Sequence, residues 1–479
     1  MRLNPNRLGM TRSHEGGTAY RLDPKTELLK RACVCLLGEP TFYESGSKQA
    51  ARLARLAERV PEEFLAKLVL ATRRTLHLRT TPIFLGHILA LRCAGTSKAK
   101  LAEDSLAEIL DRPDFLTELV ALHWAEGRRP LPALVKRALR RAFERFDTYQ
   151  LAKYGRSRTR AVRLRDVMFL VHPRPPEGLE GTYRQLANDR LEPAKRWESG
   201  LTAARTDEER RAVFEELLRE GKMGEMALVM NLRNMLKYGV DRALVLDALR
   251  RKRFRRLFPF RLYAAAKAVD DPEIAEALNH KYFEMAYALP FVPGRWAVIL
   301  DVSGSMESRL SARSKITCME AGAALAVLAA LRWNADTWVF SNEVEEVPLA
   351  SERLLGAIET LVTAMPHGGT YLGEAVETVI GTGRYDRIVV FTDEQLHDRV
   401  PKLPRGVKGY MFVIRAYSHS AVRFGDTWEL VSGFSDKALL YVAISEGLGG
   451  RFDPDATLER LLNLDVLARD ELVVEGAAP

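Results

Sequence analysis

The sequence predicts a two-module protein, α-helical over residues 1–290 and a doubly wound α/β domain over 291–479. Three observations carry this reading. Apolar residues recur at helical spacing from about Asp23 to Leu289. Short, near-continuous apolar runs alternating with helical stretches begin at Trp296. Charge divides at the same place. Residues 1–290 hold 54 Lys+Arg and 37 Asp+Glu, net +17, and residues 291–479 hold 18 and 26, net −8. A basic module joined to an acidic one is a division of labour.

The helical elements read in order. Pro61-Glu62-Glu63 opens a run with Phe64, Leu65, Leu68, Val69, Thr72 and Leu76 on one face. Arg112-Pro113-Asp114 opens the next, with Phe115, Leu116, Leu119, Val120 and Leu122. From Pro130 to Phe146, one face carries Leu134, Ala138, Leu139, Ala142, Phe143 and Phe146. Thr206-Asp207-Glu208-Glu209 is an N-cap signature. No stretch before Arg295 alternates as a strand. A helical run this long suits a stack of helical hairpins, each burying its apolar face on its neighbours. No crisp repeat signature is present.

In the second module, Trp296–Asp301, Thr337–Phe340, Arg387–Thr392 and Tyr410–Ile414 read as buried parallel strands, with a helix at about 314–332. Ligands of such sheets bind beyond the carboxyl ends of the strands. The sharpest motif lies at that edge. Asp301-Val302-Ser303-Gly304-Ser305 is D-x-S-x-S, its three oxygen side chains on one loop, with Gly304 expected to free the backbone for a tight turn. These are hard ligands suited to Mg²⁺ or another hard divalent cation. Thr370, after His367-Gly368-Gly369, and Asp393, ending the strand to Thr392, complete a set of five.

Several classes are excluded. The longest apolar run, Ala321–Leu331, has 11 residues, and a membrane helix needs about 20. Met1 to Gly17 is polar, without the apolar core of a secretory signal. Cys33, Cys35, Cys93 and Cys318 form neither a disulfide framework nor a zinc spacing, so reduced thiols and a cytoplasmic location are expected. There is no P-loop, no G-x-S-x-G elbow and no H-E-x-x-H. Glu394 is the one general-base candidate beside the metal loop. No catalytic residue, and no enzyme, is expected.

The basic residues cluster. Lys153, Arg156, Arg158, Arg160, Arg163 and Arg165 follow one another with no acid between them. Arg250 to Arg256 holds six basic residues in seven. Lys136 and Arg140, like Arg137 and Arg141, are four apart opposite an apolar face. Such stripes suit phosphate contacts, and arginine also stacks on bases. Taken singly, each is equally a solvated helix face.

The five-residue metal set resembles the metal-ion-dependent adhesion site of von Willebrand factor A domains. That resemblance implies that Ser303, Ser305 and Thr370 ligate the ion, that Asp301 and Asp393 hold it directly or through water, and that one position stays open for a partner protein's carboxylate. The order of the modules resembles the bacterial Ro autoantigen family, the TROVE-domain proteins. Lys153-Tyr154, the basic run, then Asp166, Leu170, His172 and Pro175 have a spacing similar to the family's Y RNA-contacting segment. Arg165 and Arg174 stand where the family often has lysine. The resemblance implies HEAT-like repeats closed into a basic ring, monomeric because one chain makes it. It implies Y RNA on the outer surface, single-stranded 3′ ends of misfolded RNA in the hole, and a 3′ exonuclease, polynucleotide phosphorylase, tethered through the RNA. Lys153, Arg156 and His172 are then the foremost RNA contacts. The competing reading is a divalent-cation-dependent adhesion scaffold without RNA.

Overall fold

A computed structural model describes residues 10–12, 18–20, 23–34, 46–125, 127, 129–155, 161–192, 197–254, 257–310, 315–349, 354–393, 398–414, 428–432, 436–447 and 453–464. A short antiparallel hairpin, β1 (Met10–Arg12) and β2 (Thr18–Tyr20), precedes the helices. These follow as α1 (Pro24–Val34), α2 (Gly46–Ala57), α3 (Glu62–Arg74), α4 (Thr80–Cys93), α5 (Ala99–Ile109), α6 (Pro113–His123), α7 (Ala133–Phe143) and α8 (Thr148–Gly155). Then come α9 (Leu164–Val171), α10 (Glu180–Ala187), α11 (Trp197–Ala203), α12 (Asp207–Arg219), α13 (Glu225–Lys237), α14 (Arg242–Arg251), α15 (Pro259–Ala268) and α16 (Pro272–Tyr287). The sheet domain runs β3 (Trp296–Asp301), α17 (Cys318–Trp333), β4 (Asp336–Phe340), β5 (Val344–Glu346), α18 (Leu354–Val362), α19 (Leu372–Gly381), β6 (Arg387–Thr392), β7 (Lys408–Val413), β8 (Trp428–Ser432) and α20 (Asp436–Ser445). Helix α21 (Pro454–Leu462) follows it.

The helix starts obey local chemistry. Pro61 immediately precedes α3, and Pro113 sits in the first turn of α6, where its missing N–H costs nothing. Thr206 and Glu209 close the expected capping box on α12: Thr206 Oγ1 accepts from Glu209 N at 3.2 Å, and Glu209 accepts from Thr206 N at 3.3 Å. Such a cap contributes about 1 kcal/mol. Helices pack on the next but one: α3 on α5, α4 on α6, α5 on α7, and later α12 on α14, α13 on α15 and α14 on α16. That is the contact pattern of stacked helical hairpins.

Packing groups the chain into two compact units. One holds α1 to α10 and α21; the other holds α12 to α20 with the sheet. The division at 290 read from the sequence separates chemistries, whereas packing divides the chain within α11 and again before α21. Helix α21 lies against α1 and α3, where Thr75 Oγ1 donates to the Leu461 carbonyl at 3.0 Å.

The six-stranded sheet has the order β5-β4-β3-β6-β7-β8, parallel except for β5. Its inner strands β3, β4, β6 and β7 are buried and largely apolar between their end residues because helices cover both faces. Ala297 and Ile299 of β3 face Leu372, Ala375, Val376 and Val379 of α19. On the other face, Leu300 approaches α17 so closely that a Cβ at Gly322 would sit 3.2 Å from it. Edge strands β5 and β8 and hairpin β1–β2 lack a continuous apolar run, and the sequence reading passed over them.

Candidate metal centre and nucleic-acid interface

Strand β3 delivers Asp301 to the carboxyl edge of the sheet, fully buried. There its two oxygens have different partners. Ser303 N donates to Oδ1 at 2.9 Å, turning the loop back on itself. Thr392 Oγ1, at the end of β6, donates to Oδ2 at 2.6 Å. Ser303 Oγ and Ser305 Oγ lie 3.2 Å apart, and Ser305 Oγ donates to Asp393 Oδ1 at 3.1 Å. The structure therefore joins Asp301, Ser303, Ser305 and Asp393 into one cluster. Burial pushes the Asp301 carboxyl up to about 6, with the neighbouring Asp393 charge adding to the rise and the Ser303 and Thr392 bonds opposing it.

Thr370, buried, arrives on a separate loop that is fastened to the first. Gly304 N donates to the Gly368 carbonyl at 3.0 Å. Asn342, just past β4, accepts from Gly369 N at 2.6 Å and lies where a Cβ on Gly368 would be. Ser341 accepts from Tyr371 N through its carbonyl and donates from Oγ to the Pro366 carbonyl at 2.7 Å. Asp398 caps α19, accepting from Gly373 N and Glu374 N at 2.9 Å each. Sequence reading missed Thr392, Ser341, Asn342 and Asp398. The first three could have been found from position, since each stands at or just past the carboxyl end of a strand bordering the metal loop. The role expected for Gly304 is corrected. Its φ is not positive, and a Cβ there would meet only carbonyl oxygens at 3.7 and 3.8 Å. The 3₁₀ turn Gly304–Glu307 does not need glycine at its start.

The donor set is two carboxylates and three hydroxyls, all oxygen, which fits a hard divalent cation. It differs from the clustered type: among the described residues no group of three or more His, Cys, Asp or Glu is arranged to hold a metal. Glu394 lies outside the described residues.

The basic residues sort into spent and displayed. On α7, Arg137 pairs with Glu103 at 2.6 Å, and Arg141 with Asp104 at 2.5 Å and Glu103 at 3.3 Å. This half of the stripe is a ladder onto α5. Arg140 Nε donates to the Val171 carbonyl at 2.7 Å, which places it at the end of α9. Lys136 is exposed and makes no ion pair among the described residues. Arg163 and Arg165 both approach Asp189, at 3.9 Å. His172 ends α9 in the left-handed region, φ 47°, with its side chain exposed. Exposed Arg174 is held through its backbone N–H, which donates to Glu144 at 2.7 Å. Arg140, His172 and Arg174 thus converge where α7 meets the end of α9. Lys153 lies over its neighbour Tyr154, whose hydroxyl accepts from Arg112 at 2.8 Å. Arg156, Arg158 and Arg160 lie outside the described residues.

Two aromatics escaped the sequence reading. Phe169 is 52% exposed, with the Arg165 guanidinium 5.6 Å from its ring, and Tyr149 is 51% exposed one turn before Lys153. Their signal was available: α9 buries Leu164, Val167 and Val171, so Phe169 falls on its outer face. A base and an exposed ring four residues apart recur on both α8 and α9, an arrangement suited to phosphate contact and base stacking.

No helix among the described residues is long and apolar enough to cross a membrane. No curated protein matches the chain by sequence. The chain is similar to the crystal structure of the Ro (RSR) protein of Deinococcus radiodurans, with TM-score 0.62 and 20% identity over 88% of this chain and 100% of that one. An aerotolerance-related membrane protein of Bacteroides fragilis also aligns, at 17% identity and TM-score 0.20, over 37% of this chain and 98% of that chain. The family model for the TROVE domain matches residues 182–345, and that for the Ro60 von Willebrand factor A domain matches residues 295–410. The A-domain match takes in Asp301, Ser303, Ser305, Thr370 and Asp393, whereas residues 136–174 precede both matches. The chain therefore carries a match to the TROVE domain that leads into a match to the Ro60-type A domain, on a fold similar to that of a solved Ro protein.

Proposed function

We propose that the chain is an RNA-binding scaffold of the Ro type, acting in RNA quality control rather than as an enzyme. The observation that carries this reading is the succession of TROVE and Ro60-type A domains in one chain. The α8–α9 face, with Lys153, Arg165, His172 and Arg174 beside two exposed aromatics, takes a structured small RNA of the Y type. Single-stranded 3′ ends of misfolded or damaged RNA are the second class of ligand, and a 3′ exonuclease such as polynucleotide phosphorylase reaches them through the RNA. The protein works as a monomer in the cytoplasm. Affinity comes from phosphate neutralisation and falls with salt; selectivity comes from RNA shape and unstacked bases.

The A domain holds a divalent cation, Mg²⁺ by its all-oxygen donors, through Asp301, Ser303, Ser305, Thr370 and Asp393. When bound, the ion supplies a Lewis-acidic position open to a partner protein's carboxylate. The chain's own work is orientation. Thr392 and Ser303 N–H fix the Asp301 carboxylate, and Asn342 fixes the loop bearing Thr370.

A gel-shift titration with total small RNA, at two salt concentrations, tests the RNA reading. Wild type selects a structured RNA, and the Lys153→Ala/His172→Ala variant loses it. Absence of any shift at low salt would leave the basic residues as solvated faces and favour the adhesion reading.

A further inference from the structure

His367 stands between the two loops that carry the hydroxyl ligands. Its Nδ1 lies 2.6 Å from Glu307 Oε1, on the turn that bears Ser305. Its Nε2 lies 2.8 Å from the Val362 carbonyl, at the end of α18. Both neighbours face the ring as acceptors: a backbone carbonyl never donates, and the Glu307 carboxylate forms an ion pair with Nδ1. A neutral imidazole has one N–H and serves only one of them, whichever way the ring is turned. The imidazolium has two and serves both. Three residues on comes Thr370, and Gly368 between them already accepts from Gly304 N at 3.0 Å.

We propose that His367 is a positioning residue for the divalent-ion site, an imidazolium clasp joining the Ser305 turn to the Thr370 loop, so that ion affinity weakens when this ring loses its proton. The inference rests on the metal reading of the A domain. Electrostatics agree with the geometry. Partial burial works against the charge, yet the Glu307 carboxylate and the Val362 carbonyl together hold the His367 pKa above its ordinary value. The charged group acting on the ring is Glu307, from the metal-loop turn; α18 contributes only its carbonyl.

The consequence has an unusual sign. Proton competition at carboxylate ligands makes ion affinity rise with pH. Loss of the clasp makes it fall on the alkaline side.

The test is a Mn²⁺ titration of the full chain, followed by electron paramagnetic resonance, from pH 6 to 8.5. Wild-type affinity passes through a maximum and drops about fivefold at the alkaline end, the net scale of one hydrogen bond. His367→Gln abolishes the descending limb, and Glu307→Gln moves it to lower pH, while metal-free melting temperatures show both variants folded. Coincident wild-type and His367→Gln profiles would overturn the inference and leave the metal reading standing. No Mn²⁺ binding by wild type at any pH would overturn the metal reading and the inference together.

Discussion

Asp301 shows how a single side chain sets the terms of the candidate metal centre. Its carboxyl is fully buried and holds its proton up to about pH 6, well above its ordinary value near 4. A raised folded-state pKa means that the folded chain binds the proton more tightly than the unfolded one. Stability of the metal-free protein therefore falls as pH rises from about 4 to 6, and the full penalty, on the order of 3 kcal/mol, stands above that window. Asp301→Asn removes the buried charge while keeping an acceptor for Ser303 N–H, and the Thr392 hydroxyl can turn to meet the new amide. At pH 7.5 the metal-free variant is expected to melt roughly 6 °C or more above wild type, with no gain at pH 4. Added Mg²⁺ is expected to raise the melting temperature of wild type but not of the variant. Differential scanning calorimetry at the two pH values checks both. An equal shift at pH 4 would show that the gain owes nothing to ionisation. Asp301, Ser303, Ser305, Thr370 and Asp393 stood out in the sequence as candidates because oxygen side chains at close spacing after a buried strand are distinctive. Thr392 and Asn342 did not stand out, since they act by hydrogen bonds made only once β3, β4 and β6 lie side by side.

At the scale of the element, α19 carries a prediction that runs against helix propensity. Alanine exceeds glycine in helix interiors by about 1 kcal/mol. At Gly373, however, an added Cβ would press into the backbone carbonyl of Arg399 and the Asp398 side chain that caps the helix. Gly373→Ala is expected to destabilise the sheet domain by about 2 kcal/mol or more, read by urea denaturation, and to weaken Mg²⁺ binding because Thr370 precedes this helix. A neutral or stabilising outcome would mean that the 398–399 segment yields freely. Legibility varied among elements for the same reason that packing does. Strand β3 and strand β6 were readable to the residue because both faces are covered and, apart from their polar end residues, every position is apolar. Strand β5 reads Val-Glu-Glu at the edge, where only one side is paired, and no apolar pattern marks it. The α7 stripe was visible as basic, but its acidic partners on α5 lie more than thirty residues away and emerged only from packing.

At the scale of the whole molecule, the proposed function pairs a helical part that binds RNA with an A domain that holds a cation. The charge asymmetry visible in the sequence agrees with that assignment but overstated the free charge, since Arg137 and Arg141 are committed to carboxylates. Variants should separate the two classes. Arg137→Ala is expected to lower stability with little change in RNA affinity. Lys153→Ala and Arg174→Ala are each expected to weaken RNA binding and to reduce the slope of log affinity against log salt by about 0.7–0.9 for each phosphate no longer neutralised. Fluorescence anisotropy with one structured RNA at several salt concentrations reads both effects. Equal weakening by all three substitutions would mean that the ion-paired stripe also meets RNA. The most direct measurement is ultraviolet cross-linking of the full chain to a structured RNA with a single-stranded 3′ tail, with the attachment sites located by mass spectrometry. Adducts are expected on Tyr149 and Phe169, abolished by competition with unlabelled RNA and unaffected by chelation of divalent cations. Adducts absent from α8 and α9, or confined to the A domain, would contradict the proposed RNA-binding role.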